Sequence, residues 1–526
     1  MSEVETILAA TLDELNPLYR ALNLAEWEAA LDGTPANNQR QQDAQTAYMR
    51  FWANSARYAA LKRLHGAGAA GDALQARLLK VLYLESAENQ QDETAIDQLT
   101  ALEAAVRDQY YNFRSELRGE RLSDNQLDDL LLHSADSGLV QAAWEASKQI
   151  GPRVAAQVRQ LARVRNAAAR RQGYRDYFAR SLALKEIDEA ELFGTFAALE
   201  AATTQPFLSL KHEIERARAS HFGVSVAALG PWHYGDRFFQ APPRLGKVDF
   251  DALCADKDPV GLALATFDGL GLEVRDVLER SDLFPRPGKN QHAFCIDIDH
   301  AGDVRMLCNL EPTERSNSTL LHELGHAVYD KYLDHDLPWG LRTPPHMLST
   351  EAIALLMGAL TTSEDWLTHI LGVPAAEAQG VARAGRAQER ANRLLFTRWV
   401  LVMTNFERAL YADPDGDLDT LWWDLVERFQ GLRRPEGRHA PDWAAKIHIA
   451  LYPVYYHSYE LGYLVTAQLE HTLRRMAGGL VNRPAAGRWL VEHYFQPGNR
   501  EDWASHISSA TGQPLNVAHF VETLAA

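Results

Sequence analysis

The sequence predicts a mostly α-helical fold, and three observations carry that expectation. Apolar residues recur at three-to-four spacing through nearly all of the stretch from Glu5 to Ser220. Short β-rich runs are confined to one region around Asp299. After Glu351 the helical pattern resumes and continues through most of the remaining chain.

In chain order, the spacing predicts helices over Glu5–Leu22, Gln42–Leu64, Gln75–Glu85, Thr94–Leu117 and Gln126–Leu132, then Leu139–Arg171 and Glu189–Ser220. Turn chemistry separates them, as in Asp32-Gly33-Thr34-Pro35 and the glycine-rich run from Gly66 to Gly71. The arginines that dot Val154–Arg171 read as a solvated helix face rather than a nucleic-acid patch. The pattern changes at Pro231-Trp232-His233-Tyr234, and prolines punctuate the region up to Pro287. Gln291–Ile298 and Val304–Leu310 then read as a hairpin around Asp299-His300-Ala301-Gly302-Asp303. A turn centred there sets Cys295 opposite Cys308, and both are expected as thiols.

The run His322-Glu323-Leu324-Gly325-His326 sits in apolar, helix-forming sequence that Asn317 or Ser318 can cap. Residues four apart lie on one helix face, so both imidazoles can reach one metal ion, while Glu323 faces the open coordination position and can accept a proton from water there. Ser349 and Thr350 can cap a second apolar helix, Ala352 to Leu360, with Glu351 in its first turn. An oxygen ligand from that helix completes a three-residue zinc site of His322, His326 and Glu351. Further on, Lys446, His448, Tyr456 and Tyr459 form the one dense polar cluster of the C-terminal half. Such residues supply what peptide hydrolysis needs besides the metal: donors for an oxyanion and a cation for a terminal carboxylate.

A chain of 526 residues exceeds the usual single-core limit, so two lobes are expected. A net charge of −17 argues against a nucleic-acid partner, because phosphate binding depends on cationic surface. The acidic N-terminus, the absence of a membrane-length apolar run and a count of three cysteines point to a cytoplasmic protein with no membrane partner.

These residues carry a resemblance. His322 to His326, followed by Asp336-Leu337-Pro338, Leu341-Arg342 and Glu351-Ala352-Ile353, is similar to the angiotensin-converting enzyme family of zinc peptidyl-dipeptidases. The allied thimet oligopeptidase family shares the zinc signature. The similarity extends to His292-Ala293 and to the Lys446–Tyr459 cluster, with helix and motif order agreeing from about residue 10 to residue 510. It implies a single catalytic domain over 1–526, shaped as a helical ellipsoid with a deep central cleft and a small sheet beside the zinc helix. Residues 1–230 would form the lid and N-terminal lobe, and 231–526 the zinc and substrate lobe.

It also implies roles: zinc on His322, His326 and Glu351, Glu323 as general base, and His448 and Tyr459 at the oxyanion. Lys446 and Tyr456 would hold a substrate carboxylate, and His292 and Ala293 would align the peptide.

The sequence departs from that pattern at several positions. Tyr455 competes with Tyr456 through a one-residue shift, and Ser458 replaces a chloride-linked arginine. The carboxylate-gripping glutamine falls at or near Tyr234, Leu355 replaces an aspartate that would orient a zinc histidine, and Gln291 replaces a disulfide cysteine. The expected activity is hydrolysis of short oligopeptides with release of C-terminal dipeptides. The alternatives are internal cleavage by a thimet-like oligopeptidase, or an inactive zinc-containing peptide-binding protein.

Overall fold

The structure, a computed structural model, describes residues 2–90, 93–243 and 249–525. Helices dominate it, and the strands among the described residues form two antiparallel hairpins, Ser115–Leu117 with Glu120–Leu122 and Phe294–Asp297 with Val304–Leu307. The chain folds as two compact units. One comprises Met1–Gln90, Lys247–Gly385 and Leu461–Phe520; the other Gln91–Gly246, Arg386–Glu460 and Val521–Ala526. The units interleave along the chain.

In the first unit the N-terminal helix runs over Glu3–Leu31, started by a capping box in which Ser2 and Glu5 satisfy each other's backbone N–H. It outlasts the expected Leu22 because Trp27 and Ala30 continue its buried face, packing with Ile298 and Leu307 of the second hairpin. Tyr19 and Asn23 of this helix both donate to the Asp297 carbonyl, at 3.1 Å each. The helix expected over Gln42–Leu64 is two helices, Pro35–Trp52 and Ser55–Gly66, because the Asn54 side chain caps the second and resets the chain direction.

The hairpin near Asp299 forms in a different register from the one expected. Cys295 pairs with Met306, not with Cys308, since the turn centres one residue earlier, around His300 in the left-handed region (φ 53°). Cys254, Cys295 and Cys308 are all free thiols.

In the second unit, the helix expected over Thr94–Leu117 ends at Asn112, and Ser115–Leu117 becomes a strand. Arg118 and Gly119 both take positive φ (54° and 88°), the two-residue turn that matches strand twist. The helix expected over Leu139–Arg171 breaks after Ser147 and restarts at Gly151, with Pro152 in its first turn. Arg165 lies on the inner face of that second helix, 4% exposed, and donates to Glu103 and to the Ala450 carbonyl. The arginines of this segment are therefore not all on a solvated face.

Candidate metal centre

The zinc-type motif lies on the helix Glu314–Lys331, which starts earlier than expected. Thr313 is its cap, accepting from Ser316 N–H, so Asn317 and Ser318 fall inside the helix. Glu351 lies on the helix Met347–Gly358, capped by His346 rather than Ser349 or Thr350. The glutamate thus sits beyond the first turn, where a helix dipole has little hold on it. Thr466 donates to the Ala352 carbonyl and Tyr494 to the Ser349 carbonyl, fixing this second helix in place.

Gly325 explains how the two helices meet. A Cβ there would lie 2.8 Å from Ala354 Cα and 3.1 Å from Ala354 N, atoms of backbone that cannot turn aside. The central glycine of the motif therefore serves helix contact. The close approach brings His322 Nε2 to 3.8 Å from one Glu351 oxygen and His326 Nε2 to 3.6 Å from the other.

All three ligand atoms lie within 4.8 Å of one another. Two ligands about 2.1 Å from one tetrahedral zinc are about 3.4 Å apart, so the set needs little adjustment to close on the ion. Burial lowers both histidines, His326 to about 3 with help from His322, so both rings are neutral and offer lone pairs near pH 7. His326 Nδ1 is paired with Thr350 Oγ1 at 2.8 Å, which leaves Nε2 for the metal. Thr350 is the orienting partner that Leu355 cannot be. The donor set fits zinc.

Glu323, 7% exposed, lies beside this group. Burial raises its carboxyl to about 7, with Glu351 adding to the rise and the backbone N–H of Cys295 opposing it. That N–H ties the motif helix to the hairpin. Ala293 and the strand from Phe294 to Asp297 line a cavity of about 510 Å³ together with Glu323 and His326. Ala293 and His292 precede the strand itself, and His292 is exposed.

The second unit gathers the other expected residues by themselves. Lys446 immediately precedes the short helix Ile447–Leu451, and Tyr456 opens the helix that follows. The His448 and Tyr456 rings are 5.1 Å apart, Lys446 Nζ is 5.7 Å from the Tyr456 ring, and Tyr459 packs on Tyr456 at 5.6 Å. Tyr456 is the tyrosine against both His448 and Lys446; Tyr455 packs on Tyr459. Burial lowers Lys446 to about 8, and burial with Lys446 lowers His448 to about 4.

Tyr234 is engaged elsewhere, donating to Glu215. The carboxamide beside Lys446 is Gln240, whose Oε1 accepts from Nζ at 2.9 Å. Nothing in the local sequence singled out Gln240, although it directly follows the aromatic pair Phe238-Phe239.

Two helices that set two histidines and a glutamate around one point, with a glutamate between the histidines, define a metallopeptidase-type centre. The family model of peptidase family M3 matches residues 278–526, a stretch that holds the motif helix, Glu351 and the Lys446–Tyr459 cluster. No curated protein matches the chain. The match supports a zinc metallopeptidase acting on oligopeptides, of the thimet oligopeptidase type; the likeness to angiotensin-converting enzyme rests on the residues alone. Among the described residues no helix is long and apolar enough to cross a membrane.

Proposed function

We propose that this protein is a zinc peptidase that hydrolyses short oligopeptides and releases dipeptides from their C-termini. The observation that carries the reading is the His322, His326 and Glu351 group, closed to within 4.8 Å beside a buried Glu323. Zinc held there would polarise a peptide carbonyl and make water nucleophilic near neutral pH.

Glu323, buried beside the ligand group, is placed to take a proton from the attacking water and return it to the leaving amine. The carbonyl oxygen becomes an anion as water attacks. The resemblance gives the donors to it as His448, whose ring, neutral above about pH 4, carries an N–H, and the Tyr459 hydroxyl. Lys446 and Gln240 together offer an ammonium and an amide N–H₂ to a terminal carboxylate, with Tyr456 packed against Lys446. His292 and the Ala293 backbone, just ahead of the strand, would align the peptide as an added strand. Short peptides are the only partner this reading requires, in a cytoplasmic setting.

Cleavage at internal bonds is the second reading, and the match to peptidase family M3 accords with either. One digestion separates the two. A peptide mixture treated with pure protein and read by mass spectrometry should yield dipeptides from free C-termini, with the same peptides inert to chelated protein and to Glu323→Gln. Cleavage scattered over internal bonds, independent of Glu323→Gln, would overturn the assignment of both mode and base.

A further inference from the structure

Between His448 and Tyr456 the chain makes a turn that its own residues do not favour. Val454 sits at φ 56°, in the left-handed region. Of the non-glycine residues at positive φ among the described residues, Val454 alone is β-branched, the side-chain class for which that region is most costly. The conformation is therefore imposed from outside.

Two buried side chains do the imposing. The Val454 N–H donates to Glu407 Oε1 at 2.7 Å, and Glu407, on the long helix Ala375–Ala412, is only 2% exposed. On the other side of the turn Arg165 donates to the Ala450 carbonyl at 2.8 Å. Burial pushes the Glu407 carboxyl up to about 8, against the Val454 N–H and Arg165. A buried carboxyl is costly to keep without a bond that needs it. The bond here goes to the amide of the β-branched residue held at positive φ.

We propose that Glu407 is a positioning residue: its bond to the Val454 N–H holds the Tyr452–Tyr455 turn left-handed and so sets His448 against Tyr456. The inference rests on the reading of His448 and Tyr459 as oxyanion donors; Glu407 would act through the turn that joins the two segments carrying them.

Three variants test it: Glu407→Leu, which keeps buried bulk but no acceptor; Glu407→Gln, which keeps an oxygen acceptor of the same reach; and Glu407→Leu with Val454→Gly. Glu407→Leu should lower kcat about ten-fold or more, since misplacement of about 1 Å costs on the order of 10²-fold, with KM within about three-fold. Glu407→Gln should stay within about three-fold of wild type, and glycine at 454 should recover most of the lost kcat, because glycine takes positive φ without an anchor. Hydrogen exchange at residues 454–456 should rise in Glu407→Leu and return in Glu407→Gln. Should Glu407→Leu fold poorly, Glu407→Asp, with its carboxylate drawn back from Val454, takes its place under the same criteria.

Unchanged kcat and exchange in Glu407→Leu, or no recovery with Val454→Gly, would overturn the proposal. A kcat loss in Glu407→Gln equal to that of Glu407→Leu would also overturn it. Exchange is read without substrate, so a wild-type protein that cleaves no peptide would sink the peptidase reading while leaving the turn's anchor to be judged separately.

Discussion

His326 has two ring nitrogens, and the Thr350 hydroxyl at 2.8 Å engages Nδ1. The contact holds the ring plane and turns Nε2 toward Glu351, and partners of this kind are worth about 10–100-fold in metal affinity. Thr350→Val keeps the shape and removes the oxygen. Zinc affinity should fall about ten-fold or more in chelator competition, with melting temperature nearly unchanged. Lys446 yields a prediction in pH. Burial lowers it to about 8, so its positive charge is present below that pH and lost as pH rises through it. The kcat/KM for peptides with a free C-terminus should therefore fall above about pH 8. Amidated peptides, which offer no carboxylate, should lack that limb. Equal alkaline limbs for both would remove Lys446 from carboxylate binding.

At the scale of elements, the metal centre is a statement about how closely two helices approach. Gly325→Ala would drive a methyl into the Ala354 backbone, and overpacking of this sort costs about 1–3 kcal/mol. The helix of Glu351 should be pushed away from the histidines. Melting temperature and bound zinc should fall together in this variant. Gly380→Ala is the matched control. It too is a helical glycine, but a Cβ there meets nothing within 4 Å, so alanine should be neutral or stabilising by up to about 1 kcal/mol. Loss of zinc in Gly380→Ala, or its retention in Gly325→Ala, would contradict the role given to the helix contact.

For the molecule as a whole, zinc at this site would be a ligand of the folded state. His322, His326 and Glu351 come from two helices and are grouped only when those helices are packed. Zinc bound to the folded chain alone stabilises it by about 2.7 kcal/mol when free zinc is 100-fold above its Kd. Chelation should lower the melting temperature by several degrees and zinc should restore it. His326→Ala should show no such zinc-dependent shift.

Much of this was legible before any coordinates. Helix type followed from the three-to-four spacing of apolar residues, which is a local property of the backbone. So did the shared face of His322 and His326, one turn apart. The break at Ala53 and the strand at Ser115 were missed because a cap or a two-residue turn interrupts a periodic pattern without erasing it.

Other features were decided only by packing. Thr350 rather than a residue at 355 orients His326, Gln240 rather than Tyr234 meets Lys446, and Cys295 faces Met306. The left-handed turn at Val454 belongs with them, held by Glu407 from 47 positions away. Periodicity and motif spacing report what one turn of helix or one strand does with its own side chains. Which hydroxyl, amide or carboxyl arrives from elsewhere depends on how the helices pack, and that contact exists only in the folded chain.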